Sequence, residues 1–177
     1  FLFGISGWKV CGNLPSNHSK YIILVGPHTS YKDFCVGVGA RNYLKFSPYF
    51  LIKKRFFGIP LLKNFLKHIN GIGVENQGND SLVETISEEI KKRDNFILML
   101  TPEGTRSKVK KIRSGFYYIA KKSNIPIVCI GLDYPTKTLS ISEPKYIISN
   151  LKKEIGYYTN YFSGFVGKYP ERGINKT

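Results

Sequence analysis

Apolar residues fall in short runs separated by polar loops, and the period of the pattern switches repeatedly between strand and helix. Residues 21–25, Tyr-Ile-Ile-Leu-Val, are closed by Gly26-Pro27 and predict a buried strand that enters a loop. Over 59–69, Ile59, Leu62, Phe65, Leu66 and Ile69 recur at helical spacing with Lys63 and Lys67 on the other face, predicting a helix with that apolar stripe inward. Residues 72–74 read as a brief strand between glycines. The clearest helix covers 81–93: Ser81 and Glu84 form a capping box, Leu82, Ile86 and Ile90 make the stripe, and Lys91, Lys92 and Arg93 close the end that favours cations. A second strand is expected at 96–100, a helix at 116–122, a third buried strand at 125–132 and an edge strand at 139–141. A last helix is expected over 150–166, with Leu151, Ile155, Tyr158 and Phe162 on one side. Buried strands alternating with helices predict an α/β fold, a single domain over 1–177 with a mostly parallel central sheet flanked by helices.

Composition adds boundaries. A chain of 177 residues with 42% hydrophobic and 22% charged residues is ordinary for one globular domain. Three cysteines, Cys11, Cys35 and Cys129, lack metal-like spacing and argue for a reducing compartment rather than a disulfide scaffold. No apolar run approaches the roughly 20 residues that span a bilayer. Residues 1–8 are apolar and aromatic but too short to span, and read as a candidate membrane-contacting segment. Lys and Arg number 27 against 12 Asp and Glu, a net charge of +15. That field favours an anionic partner: nucleic acid, anionic lipid or a phosphorylated substrate. Up to residue 74 the single acid is Asp33, against ten bases, so a lone carboxylate stands in the most basic third of the chain.

In open α/β sheets, ligands bind beyond the C-terminal ends of strands. Two polar loops lie there: Pro27-His28-Thr29-Ser30-Tyr31-Lys32-Asp33 after the first strand, and Thr101-Pro102-Glu103-Gly104-Thr105-Arg106-Ser107 after the second. His28 and Asp33 are five positions apart. An Asp folded back onto one imidazole nitrogen fixes the tautomer and leaves the other nitrogen to take a proton. His18 and His68 read as structural. Ser30 and Cys35 lie near the pair, but no nucleophile elbow or cysteine-protease signature surrounds them, and no third ligand makes His28 and Asp33 a metal site. Arg106 suits a bidentate grip on phosphate, with Arg113 seven residues on as a second cation.

Taken together, the H-x-x-x-x-D pattern of His28 and Asp33 and the E-G-T-R run of Glu103 to Arg106 resemble the glycerol-phosphate and 1-acylglycerol-3-phosphate (lysophospholipid) acyltransferase superfamily, in its short, soluble-looking branch. The likeness continues through residues 115–120, the Ile125-Pro126-Ile127-Val128 block and Gly131-Leu132-Asp133-Tyr134, covering about residues 8 to 170. Two departures stand out. The family's second block usually ends in an Arg that helps hold the acceptor's phosphate, and here Gly71-Ile72-Gly73-Val74-Glu75-Asn76 places Asn76 there. Lys32 stands where relatives of this branch often carry Trp.

The resemblance implies transfer of a fatty acyl group from acyl-CoA or acyl carrier protein to a hydroxyl of a lysophospholipid-like acceptor. His28 would act as general base oriented by Asp33, with no acyl-enzyme. Glu103, Gly104, Thr105, Arg106 and Arg113 would form the substrate-binding set. No metal and no cofactor beyond the acyl donor are implied. The expected partners are the donor, the acceptor and an anionic membrane surface, with the protein cytoplasmic and peripheral on the membrane. A nucleic acid is not expected, since no binding motif for one is present. Two alternatives remain open: a non-catalytic, lipid-binding member of the family, and an acyltransferase for a non-glycerophosphate acceptor such as an amino-acid lipid.

Overall fold

The computed structural model describes residues 3, 6–74, 79–109 and 111–174. Its centre is a seven-stranded sheet built from β1 (Lys9–Cys11), β2 (Lys20–Gly26), β3 (Tyr49–Lys53), β4 (Gly71–Val74), β5 (Phe96–Leu100), β6 (Ile127–Asp133) and β7 (Thr138–Ile141). The spatial order is β1-β7-β6-β2-β5-β3-β4. Five neighbours from β6 to β4 run parallel, and β7 turns back antiparallel to β6 and carries β1 parallel to itself. The strand expected at the edge, residues 139–141, is therefore an interior one. β1 covers it, a three-residue strand too short to give a periodic signal.

The helices are α1 (Lys32–Leu44), α2 (Pro60–His68), α3 (Asn79–Lys91), α4 (Gly115–Ser123) and α5 (Leu151–Phe162), with a 3-10 turn at Lys54–Gly58. Parallel strands joined by right-handed crossovers place α1 and α2 on one face of the sheet and α3 and α4 on the other. The central strands are buried on both faces, which is why they read as unbroken apolar runs. Ile22 and Leu24 of β2 join Ile86, Ile90, Phe116, Tyr158 and Phe162 in the core under α3, α4 and α5. Tyr21 and Ile23 point the other way, into a smaller core with Phe3, Trp8, Ala40, Ile130 and Leu132. Phe3 and Trp8 are thus packed inside, while Phe1, Leu2, Gly4 and Ile5 lie outside the described residues. No described helix is long and apolar enough to cross a membrane.

Several expected boundaries shift. α3 begins at Asn79, so Ser81 sits within its first turn rather than capping it, and Glu84 pairs instead with Lys122 of α4. Arg93 lies past the helix end, reaches back to Glu89 at 2.5 Å and stacks on Tyr49 at 4.9 Å. β6 starts at Ile127, two residues later than expected. α5 stops at Phe162, and its cap is Asn150, whose side chain accepts from the Lys153 N–H at 3.1 Å. The largest departure is α2. Leu66 is buried, but Ile59 and Phe65 are 51% and 54% exposed, so the stripe read as a core face is split between core and surface.

Two glycines face each other at the exit of the sheet, Gly26 of β2 opposite Gly131 of β6. The rings of Phe162 and Phe165 lie directly over them: a Cβ on Gly131 would sit 2.2 Å from the Phe165 ring. Gly131→Ala is therefore expected to cost about 1–3 kcal/mol of stability, the range for overpacking. Gly156→Ala, on α5 with nothing within 4 Å of the new methyl, should be neutral or stabilising by up to about 1 kcal/mol. Thermal melts of the two variants test the contrast.

Candidate active site

β2 ends in the centre of the sheet, and the chain leaves it through Pro27 to place His28 at the strand's C-terminal end. α1 then begins at Lys32, so Asp33 falls in its first turn with its side chain directed back over the loop. Its Oδ2 accepts the backbone N–H groups of Thr29 and Ser30, both at 2.8 Å, and meets His28 Nδ1 at 3.0 Å. Oδ1 accepts the hydroxyl of Tyr134 at 2.6 Å. The spacing of five is what this closure needs: the carboxylate caps the N–H groups of its own loop and holds the histidine ring. The Asp33 side chain is 2% exposed and that of His28 22%, so the acid is sealed and the ring faces outward. Among the described residues nothing hydrogen-bonds His28 Nε2. Burial pushes the Asp33 carboxyl up, but the hydrogen bonds from His28, Tyr134, Ser30 and Thr29 outweigh it, and its pKa lies below the usual Asp value.

The second loop is joined to the first by Glu103, which is 2% exposed. Its Oε1 accepts the backbone N–H of His28 at 2.9 Å, and its Oε2 has no partner among the described residues. Burial raises the Glu103 pKa above the usual Glu value, against the His28 N–H that favours the charged form. Glu103 thus holds the histidine's backbone from inside and does not line the cleft. Gly104 follows in the left-handed region at φ +63°, and the Arg113 side chain passes so close that a Cβ there would lie 2.3 Å from Arg113 Nε. Thr105 accepts the Ser107 N–H at 3.3 Å. Arg106 turns back toward the first loop, its guanidinium carbon 3.5 Å from the centre of the Tyr31 ring. No described carboxylate pairs with Arg106 or Arg113.

His28, Asp33 and Arg106 border one cleft of about 500 Å³ between the sheet and α1. Away from the histidine its walls are apolar, from Val25, Phe34, Val38, Phe46 and Met99, and Ile69 contributes from beyond α2. Of the residues expected to bind substrate, Arg106 reaches this cleft. Glu103, Gly104, Thr105 and Arg113 do not line it, and Asn76 lies outside the described residues. Lys32 is exposed, its N–H donating to Ser30 Oγ at 3.1 Å. Tyr134 is the functional residue that site reasoning from sequence passed over. It follows β6, which becomes a neighbour of β2 only through the strand order, and it is wedged edge-on against Trp8 at 5.0 Å. The C-terminal segment braces the same region: Tyr134 N–H donates to the Val166 carbonyl at 2.9 Å and Tyr169 N–H to Thr29 Oγ1 at 3.3 Å.

A histidine–aspartate pair thus stands at a strand's end, open to an apolar cleft and flanked by an arginine. The chain matches the family model for acyltransferases over residues 9–133, and it belongs to that family. Among solved structures it is similar to the crystal structure of the 1-acyl-sn-glycerophosphate (LPA) acyltransferase PlsC from Thermotoga maritima. The TM-score is 0.64 at 18% identity, over 92% of this chain and 72% of that one. No individually curated protein matches the chain.

Removing the Tyr134 hydroxyl tests the site's electrostatics. A carboxyl whose folded pKa is depressed adds stability above its ordinary pKa, and that stability is lost as pH falls through the folded value. Tyr134→Phe deletes one donor, so the Asp33 pKa rises toward normal. The variant should lose about 1–3 kcal/mol at neutral pH, and on acidification it should lose less further stability than the wild type, with that loss complete at a higher pH. Glu103, shifted the opposite way, is common to both proteins and cancels in the difference. Urea midpoints measured from neutral to acid pH supply the comparison.

Proposed function

We propose that the protein transfers a fatty acyl group from an acyl thioester, acyl-CoA or acyl carrier protein, to the hydroxyl of a lysophospholipid-like acceptor of the 1-acylglycerol-3-phosphate type. The observation that carries the reading is the position of His28: one ring nitrogen is held by buried Asp33, and the other is unpartnered at the head of an apolar cleft. The substrate named for the Thermotoga PlsC supports the choice of acceptor.

In this mechanism His28 Nε2 removes the proton from the acceptor hydroxyl as its oxygen attacks the thioester carbonyl. The tetrahedral intermediate collapses with cleavage of the C–S bond, and the imidazolium returns its proton to the departing thiolate. A new oxygen ester and a free thiol result, with no acyl-enzyme. Asp33 stabilises the imidazolium and keeps Nδ1 as the donor to itself. Arg106, stacked on Tyr31, meets the acceptor phosphate through parallel N–H bonds. The acyl chain lies along the apolar wall of Phe34, Val38 and Met99.

Thiol release from acyl-CoA and acyl carrier protein, with and without a panel of lysolipid acceptors, tests the reading. Acceptor-dependent release is expected, with His28→Ala slower by about 10²–10⁴-fold. Arg106→Ala should raise KM for a phosphorylated acceptor by about tenfold or more while leaving kcat far less changed. Full activity in folded His28→Ala would overturn the mechanism, and release that needs no acceptor would make the protein a thioesterase.

A further inference from the structure

The split stripe of α2 leaves apolar side chains in water beside the open cleft. Seven exposed large hydrophobic residues other than tyrosine occur among the described residues, and five of them, Phe34, Val38, Phe56, Ile59 and Phe65, belong to α1, the 3-10 turn and the start and body of α2. α1 lines the opening of the cleft, and α2 ends beside it. Phe34 and Val38 line the cleft from α1, and Ile69 lines it from the residue after α2. Ser47 ties the two sides together, its Oγ accepting from Arg41 of α1 at 2.9 Å and from Asn70 at 2.8 Å.

The charge around this rim has one sign. Residues 34–74 hold seven Lys and Arg and no Asp or Glu. Lys63 and Lys67 stand on the exposed side of α2, and Arg55 lies over the Phe56 ring at 5.0 Å. No described carboxylate pairs with Arg55, Lys63 or Lys67. An amphipathic ridge of aromatic and branched residues edged by cations is the pattern that settles into the interface of an anionic bilayer. A second copy of the chain fits less well, because pairing this face with itself would oppose two sets of like charges.

We propose that the 3-10 turn and α2, together with the outer face of α1, form the surface by which the protein docks on an anionic membrane. Phe56, Ile59 and Phe65 enter the acyl boundary while Arg55, Lys63 and Lys67 meet the phosphate head groups. The cleft then opens toward the bilayer beside α1 and the end of α2, and an acyl chain reaches it without crossing water. The docking residues are distinct from His28, Asp33 and Arg106, and binding is read without turnover.

Flotation of the purified protein with vesicles of phosphatidylcholine alone, or with added phosphatidylglycerol, is the test. The wild type should float with the anionic vesicles and release at high salt. Lys63→Glu with Lys67→Glu should weaken binding by at least about tenfold, and Ile59→Ser with Phe65→Ser should weaken it comparably. All four positions are exposed or replaced by tolerated polar groups, so melting temperatures should stay near the wild-type value. Equal binding to neutral and anionic vesicles, or wild-type binding by both double variants, would overturn the proposal. So would a dimer in gel filtration that Ile59→Ser with Phe65→Ser abolishes. Turnover of a short, water-soluble acyl-CoA with glycerol phosphate, measured on the same preparations, separates the two readings. Binding without turnover would remove acyl transfer and leave the surface standing, whereas turnover without binding would do the reverse.

Discussion

A carboxylate removed from water is costly unless donors replace the hydration it loses, and the site depends on how Asp33 meets that demand. Its four hydrogen-bond partners come from two places in the chain: its own loop, through the Thr29 and Ser30 backbone and the His28 ring, and the Tyr134 hydroxyl beyond β6. Satisfying one buried acid therefore closes the first loop, orients the histidine and ties the end of β6 to the end of β2. Tyr134 in turn is pinned by Trp8 on one side and by the Val166 carbonyl on the other. The C-terminal segment becomes part of the site through this chain of contacts, although it contributes no side chain to the cleft.

The second loop obeys the same logic from the opposite direction. Glu103 spends one oxygen on the His28 peptide N–H and leaves the other unpartnered in the interior, at a pKa raised by burial. Its partner is the backbone of the very residue whose ring Asp33 holds. Two carboxylates thus bracket His28, one on the ring and one on the main chain. Gly104 can follow at positive φ because it lacks a side chain, and the room this leaves is taken by Arg113. That frees Arg106 to lie on Tyr31 and face the cleft.

Much of this was legible in the residues themselves. Buried strands β2, β5 and β6 carry continuous apolar runs, and the helices at 79–91, 115–123 and 151–162 show their inward stripes, so the α/β class and the positions of both loops follow from periodicity. The His28–Asp33 closure was readable from spacing. What escaped has physical causes. α1 carries Gly37 and Gly39 among small and mixed residues and shows no stripe, because one side of it lines an open cleft instead of a packed core. β1 and β3 are short and flanked by polar or basic residues. Glu103 was expected to help form the substrate pocket, yet its contact with the His28 backbone spans 75 positions and no local pattern encodes it. Tyr134 depends on strand order in the same way. The stripe of α2 was visible, but periodicity reports amphipathicity and not what the apolar side meets, and here half of it meets solvent.

Parallel sheets are ordinarily covered on both faces, and here one face lies under α3, α4 and α5 while the other carries a smaller core and the cleft beside α1. The cleft beside α1 is where the apolar wall, the outward ring of His28 and the Arg106 guanidinium converge, and it serves chemistry only if His28 presents a proton-accepting nitrogen there. Nitrogen-15 spectra of the His28 ring, assigned with His28→Ala and recorded above the pH at which the ring protonates, measure that directly. The account predicts the tautomer with Nδ1 protonated and Nε2 bare, and a mixture of tautomers once Asp33→Asn removes the acceptor. A wild-type ring carrying its proton on Nε2 would contradict it.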